Sequence, residues 1–305
     1  MIILNAICPI FLLLLLGHLL KRFRITDDSF LKTADKLVYF IFFPVMLFWK
    51  IGKSGPDSAG SLGLCLAGIL AVALVCGLSI AAIETLGISR FKAGSFSQAC
   101  YRFNTYIGMA VVMNVLGEAG VRYFGILVGF AIPIINVMAV SILIWYSNRK
   151  ESSGAHARRL FKALVSNPLI LGCLAGILFS RAGFDFPLFM ENTFSLMTSV
   201  TMPLALISIG GSLTLDGLKN NLGVSALAAG LKIIVLPVAG YFLLKAFQVS
   251  GVPFKAGMIF FTLPTSTALY VLSAQLNSDT QTASAAIMLS TLVSFFSLSA
   301  VLLIF

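Results

Sequence analysis

The 305-residue sequence predicts an all-α polytopic membrane protein, with ten transmembrane helices arranged as two inverted repeats of five. Three observations carry this expectation. The chain is 59% hydrophobic and only 10% charged, whereas soluble domains average about 25% charged residues. It divides into apolar runs of about twenty residues, the length that crosses a ~30 Å hydrocarbon core as a helix. A spacing of prolines and glycines recurs between its two halves. An outer-membrane barrel would instead show alternating segments of about ten residues.

Ten spans can be drawn, at 2–20, 32–51, 61–84, 93–117, 119–147, 160–180, 188–212, 221–246, 253–276 and 280–305. The first begins at Ile2 with no basic residue before it, so it reads as a retained span and not as a cleaved leader. The longest hydrophilic connector is "SNRKESSGAHARR" at 147–159. The expected units are an N-terminal repeat at 1–147, a cytoplasmic linker at 148–159 and a C-terminal repeat at 160–305. The net charge of +10 does not point to nucleic acid, because the basic residues collect in short loops. Placing the loops around Lys21–Lys36 and Arg149–Lys162 in the cytoplasm puts thirteen Lys and Arg inside and six outside. That bias predicts both termini outside. The remaining two cations, Arg102 and Lys232, lie within spans. Cys8, Cys65, Cys76, Cys100 and Cys173 all sit in apolar stretches without a CxxC, which predicts free thiols.

At an offset of 159, Pro9 meets Pro168, Gly17 meets Gly176, Arg22 meets Arg181, Pro44 meets Pro203 and Gly52 meets Gly211. With a small shift "FKAG" at 91–94 meets "FKAG" at 254–257, and "FN" at 103–104 meets "PT" at 264–265. Five spans per half is an odd number, so the second half enters the membrane from the opposite side. Inverted repeats of this kind mark secondary transporters.

Two spans carry breaking residues at mid-depth. The fourth reaches Asn104 about eleven residues in, roughly 16 Å along a helix. The ninth reaches "LPTST" at 263–267 after a similar distance. Pro264 removes a backbone donor. Asn104 and Thr105 can bond local backbone groups, and Gly108 tolerates unusual dihedrals. Irregular backbone at that depth must be covered by protein or water. Two crossing breaks would present free N–H groups and partial positive charge at their half-helix N-termini, which suits an anion. The alternative is a pair of ordinary kinked helices.

No Asp or Glu lies near the centre of any span, although mid-membrane carboxylates are the usual carriers of protons and sodium. Lys232 is expected to support the crossover, taking the place of a bound cation with freed carbonyls as partners. It could also contact an anion directly or snorkel to an interface. Arg102 could steer an anion or only hold its half-helix. Asn136 and Asn114 are polar at depth, and interhelical hydrogen bonding accounts for either.

"PIFLLLLLGHLLKRFRI", "LVYFIFFPVMLF", "NTYIGMAV", "FTLPTSTALYVLSAQLNSD" and "ASAAIMLSTLVSFFSLSAVLLIF" resemble the auxin efflux carrier family along essentially the whole chain. The short central loop is similar to the bacterial branch, which implies the inner (cytoplasmic) membrane. The resemblance implies a fold similar to sodium/proton antiporters. Spans 1, 2, 6 and 7 would form a dimerising scaffold, and spans 3–5 and 8–10 an elevator-type transport domain. It implies small organic anions as substrates, among them malonate, malate and auxin-like acids. The family's proline–asparagine pair appears here as Phe103–Asn104, its second break as Pro264–Thr265, its asparagine on span five as Asn136, and its basic residue before a proline on span eight as Lys232 before Pro237. The expected substrate-binding residues are therefore Asn104, Thr105, Asn136, Pro264, Thr265 and Ser266. Arg102, Gly108 and Lys232 are expected to support the crossover. No cofactor, metal or nucleic acid is implied. The competing readings are a coupled symporter of the bile-acid-symporter type, a channel-like anion pore, a membrane enzyme and a Schiff-base photoprotein. The enzyme reading meets only His18 and His156 and no HExxH or GxSxG. The photoprotein would want an intramembrane carboxylate counter-ion for Lys232.

Overall fold

A computed structural model describes residues 7–53, 61–147, 167–213 and 218–305. The predicted linker at 148–159 and the start of the first span lie outside the described residues. The order of helices is α1 (Cys8–Arg22), α2 (Asp28–Leu37), α3 (Phe43–Gly52), α4 (Ser61–Thr85), α5 (Arg90–Tyr101), α6 (Thr105–Tyr146), α7 (Pro168–Ala182), α8 (Leu188–Ser212), α9 (Leu218–Gly230), α10 (Leu236–Ala246), α11 (Gly251–Thr262), α12 (Ala268–Gln275) and α13 (Thr280–Ile304). Among the described residues there is no strand, as expected of a chain whose backbone groups must be satisfied inside lipid.

α4 shows how the apolar code works. Leu62, Leu66, Leu70, Leu74 and Leu78 recur every fourth residue and stand exposed, while Leu64, Ala67, Ala71 and Val75 are buried. A hydrophobic face on each side belongs to a helix with lipid on one and protein on the other. The same outward display of Phe242 and Phe296 on α10 and α13 makes the chain an integral membrane protein. Several segments, including Ser61–Thr85, Leu188–Ser212 and Thr280–Ile304, are long and apolar enough to cross the bilayer.

The second span begins earlier than its hydropathy suggests. Asp27 caps α2, its carboxylate accepting from the Phe30 N–H at 2.7 Å, so Lys32 and Lys36 lie on a helix and not in a loop. α2 runs into α3 through a widened π-turn at Val38–Phe42, and α9 into α10 through another at Leu231–Val235. Each is followed by a proline at the second residue of the next helix, Pro44 and Pro237. Proline supplies no N–H to the carbonyl four residues back, and the wide turn re-routes the ladder there. α6 changes direction at Gly117, whose φ of 61° and ψ of −151° are open essentially only to glycine. This is where the sequence predicts the join of the fourth and fifth spans. Beside it the Glu118 carboxylate pairs with Lys50 of α3 at 2.8 Å.

α1, α2, α3, α7 and α8 pack on one another, and α4, α5, α6 and α9 to α13 pack on one another; α6 also touches α1, α3, α7 and α8. The first group is held at backbone distance. A Cβ on Gly17 of α1 would collide with the Ile207 carbonyl of α8, and one on Gly176 of α7 would lie 2.9 Å from the Phe48 carbonyl of α3. Gly17 and Gly176 are 159 positions apart, and so are Phe48 and Ile207. The two contacts are thus images of each other at the offset that aligns the halves. Small residues at such crossings let helices approach where lipid gives no hydrophobic drive for association.

Candidate substrate site at two interrupted helices

α5 ends at Tyr101 because Arg102 turns extended, with φ −64° and ψ 148°. α6 restarts at Thr105 with Asn104 as its cap. Three residues, Arg102, Phe103 and Asn104, therefore form the first break. α11 ends at Thr262, Leu263 is extended, and α12 restarts at Ala268, leaving 263–267 as the second. Both expected interruptions are present, and they touch. The Asn104 N–H donates to the Pro264 carbonyl at 2.8 Å. The Thr265 hydroxyl donates to the Ala99 carbonyl at 2.9 Å, and the Thr265 N–H to the Ser290 hydroxyl of α13 at 3.1 Å. Asn104 and Thr265 are almost fully buried, so each of these bonds removes a cost that an orphaned polar group would carry.

Phe103 stands where the resemblance implies a proline. Its ring lies 4.4 Å from that of Phe260, so aromatic packing, not a fixed φ, holds the chain extended here. Gly108 does not belong to the break. It lies within helical α6, where a Cβ would meet Phe124 and would come within 2.5 Å of Leu263. Its role is close approach of the two interrupted segments, not dihedral freedom.

Two of the expected free N–H groups at the first half-helix are taken. The Asn104 Oδ1 accepts from the Tyr106 and Ile107 N–H groups at 3.1 and 3.2 Å. Two of the four orphan donors of this helix end are thereby satisfied. The positive end of the helix remains, and so do the donors of the Asn104 amide nitrogen. At the second half-helix the Ser266 hydroxyl accepts from the Ala268 N–H at 3.2 Å. Thr105 is half-buried beside Asn104.

Arg102 is 7% exposed. One guanidinium nitrogen donates to the Gln98 Oε1 at 3.1 Å, the other to the Asn136 Oδ1 at 2.9 Å. It pairs with neither backbone carbonyls nor, among the described residues, a carboxylate. Both partners are neutral amides, which satisfy two of the five N–H donors and leave the charge unbalanced. Gln98 stands one helical turn before Arg102, a spacing the sequence does offer. Ala99 and Ser290 carry no such signal, since only the fold brings them to Thr265.

Lys232 is fully buried in the second π-turn and its side-chain nitrogen has no hydrogen-bond partner. The freed carbonyls expected around it do not reach it, and it does not snorkel. The turn packs against α4, α5, α11 and α13.

The sequence profile of the family described as "Membrane transport protein" matches residues 2–302. The chain belongs to this family, that of the auxin efflux carriers. It is a transporter and not an enzyme. An "uncharacterized transporter" of Methanothermobacter thermautotrophicus is 24% identical over 96% of this transporter and 95% of the relative. A "putative malonate transporter" of Rhizobium meliloti is 21% identical over 95% of this transporter and 92% of the relative.

Proposed function

We propose that the transporter moves small organic anions through a site at the crossing of the two interrupted helices. The observation that carries this reading is the buried Arg102 guanidinium, held by two neutral amides at the break with its charge unmatched. An arriving carboxylate would supply the missing charge, and charge-assisted bonds of this kind are the strong ones. The Asn104 and Asn136 amide nitrogens would add donors, with Thr105, Pro264, Thr265 and Ser266 shaping the site. The relative named for malonate supports a small carboxylate as the substrate class.

The mechanism we favour is an elevator. The helices pack as two groups that correspond to a scaffold of spans 1, 2, 6 and 7 and a mobile unit of spans 3–5 and 8–10. The paired glycine contacts related by 159 positions support ten spans in two inverted repeats. Both breaks fall within the second group, so a site there would travel as a unit. A homodimer through the scaffold, residence in the inner membrane and termini outside complete the proposal.

Purified transporter in proteoliposomes, preloaded with unlabelled malonate, succinate or indole-3-acetate, tests it by counterflow of the labelled compound. Saturable counterflow is expected, reduced at least tenfold in Asn104→Ala. A pore would give flux proportional to concentration and no counterflow. Full-rate counterflow in a normally folded Asn104→Ala variant would remove that residue from the site.

A further inference from the structure

Lys232 is the buried group that the site as described does not use. Its side chain is fully buried and its nitrogen lacks any acceptor, whereas Arg102 has two. A charge in such a place needs a partner charge within reach. From α5, the Cys100 thiol is within electrostatic reach; it stands one helical turn before Asn104, at the first break. Arg102 caps α5 at the break itself, and Cys65 and Cys76 of α4 and Tyr101 of α5 are buried titratable groups on the packed helices. The other charged groups lie at outer helix ends: Arg90 and Lys92 where α5 starts, Glu84 at the end of α4, Lys255 in the first turns of α11, and Asp279 capping α13. On its own span, Lys245 is thirteen residues on, about 20 Å along the helix. Among the described residues no carboxylate faces Lys232.

A bare amine has one lone pair and this one makes no hydrogen bond. An anion entering at the breaks supplies the balancing charge that the protein withholds. By linkage, each of the two then favours the other. We propose that Lys232 is the proton carrier of the transport cycle. Its nitrogen lone pair takes one proton from the open side as the organic anion enters, forming an N–H bond. The proton leaves to water on the far side as the anion departs. One anion and one proton cross together, and the lysine is regenerated. This rests on the anion site proposed above.

The test is binding, measured by thermal unfolding of the full-length transporter in detergent, with malonate, succinate and indole-3-acetate titrated separately. The range is about pH 7 to about pH 9, where the carboxylates of the probes do not titrate. One coupled proton predicts an apparent affinity that weakens about tenfold per pH unit. Lys232→Met, an apolar replacement of similar volume, and Lys232→Arg, a permanent charge, are both expected to give flat profiles. Lys232→Arg should keep its affinity and Lys232→Met should lose it. A flat wild-type profile, or a slope retained in both variants, overturns the assignment while the anion site stands. If none of the probes stabilises the protein at any pH, the anion site and the proton carrier fall together.

Discussion

Replacing Gly108 by alanine tests how closely the two interrupted segments are packed. Within α6 the substitution is helically favourable by roughly 0.5–1 kcal/mol. Against this, the new methyl would overlap the Phe124 ring and stand 2.5 Å from a Leu263 methyl, where ordinary contacts between carbons are ~3.5–4.0 Å. Leu263 opens the second break and Phe124 is fully buried, so neither can swing into open space. Overpacking of this kind costs about 1–3 kcal/mol. The balance is a destabilisation of about 0–2.5 kcal/mol, centred on ~1 kcal/mol. Gly77 of α4 is the control, because a Cβ there meets nothing within 4 Å. Gly77→Ala should be neutral or stabilising by up to ~1 kcal/mol. Reversible unfolding in mixed micelles measures both. Equal stability of the two variants would refute the close approach. A destabilised Gly108→Ala with full counterflow would show that the packing matters for the fold but not for transport.

Gly210→Ala would drive a methyl into the Leu14 carbonyl of α1, and because backbone cannot turn aside, a loss of at least ~2 kcal/mol is expected in the same assay. Ser290→Ala leaves the buried Thr265 N–H without its acceptor, a cost of about 1–3 kcal/mol that Ser290→Thr should largely restore. Glu118→Gln removes the carboxylate that pairs with Lys50. Lys50 holds the Glu118 carboxyl below its ordinary 4.5, so the pair stabilises fully above about pH 4.5 and is lost as pH falls through the lower folded value. The carboxylate is largely exposed, so the effect near neutrality should stay under about 1 kcal/mol, and wild type and variant should converge in acid.

The two interruptions were legible because each places a residue where lipid would punish it, Asn104 in one and Pro264 in the other. The spacing of Gly17 and Gly176 was legible too, and the structure gives it a meaning in helix contacts. What could not be read was the use of each polar atom. Asn104 suggested a ligand donor, yet its oxygen closes its own helix end. Arg102 left its partners open, and the answer lies partly one turn back in Gln98 and partly 34 residues on in Asn136. Gly108 looked like part of a break because glycine signals both freedom and closeness, and only the neighbours of a missing Cβ tell these apart. The π-turns were hidden because proline marks a lost hydrogen bond without saying how the helix absorbs it.

Phe103 has a consequence for biogenesis. With no proline at the first break, nothing covalent prevents residues 90–116 from entering the membrane as one uninterrupted helix. Two of the contacts at the break, Phe260 against Phe103 and the Pro264 carbonyl against the Asn104 N–H, come from chain synthesised about 160 residues later. The first break therefore gains these two contacts only after residues 260–264 have been made, while its Asn104 cap is local. The two halves are not independently finished modules, because each supplies a hydrogen-bond acceptor to the other's break.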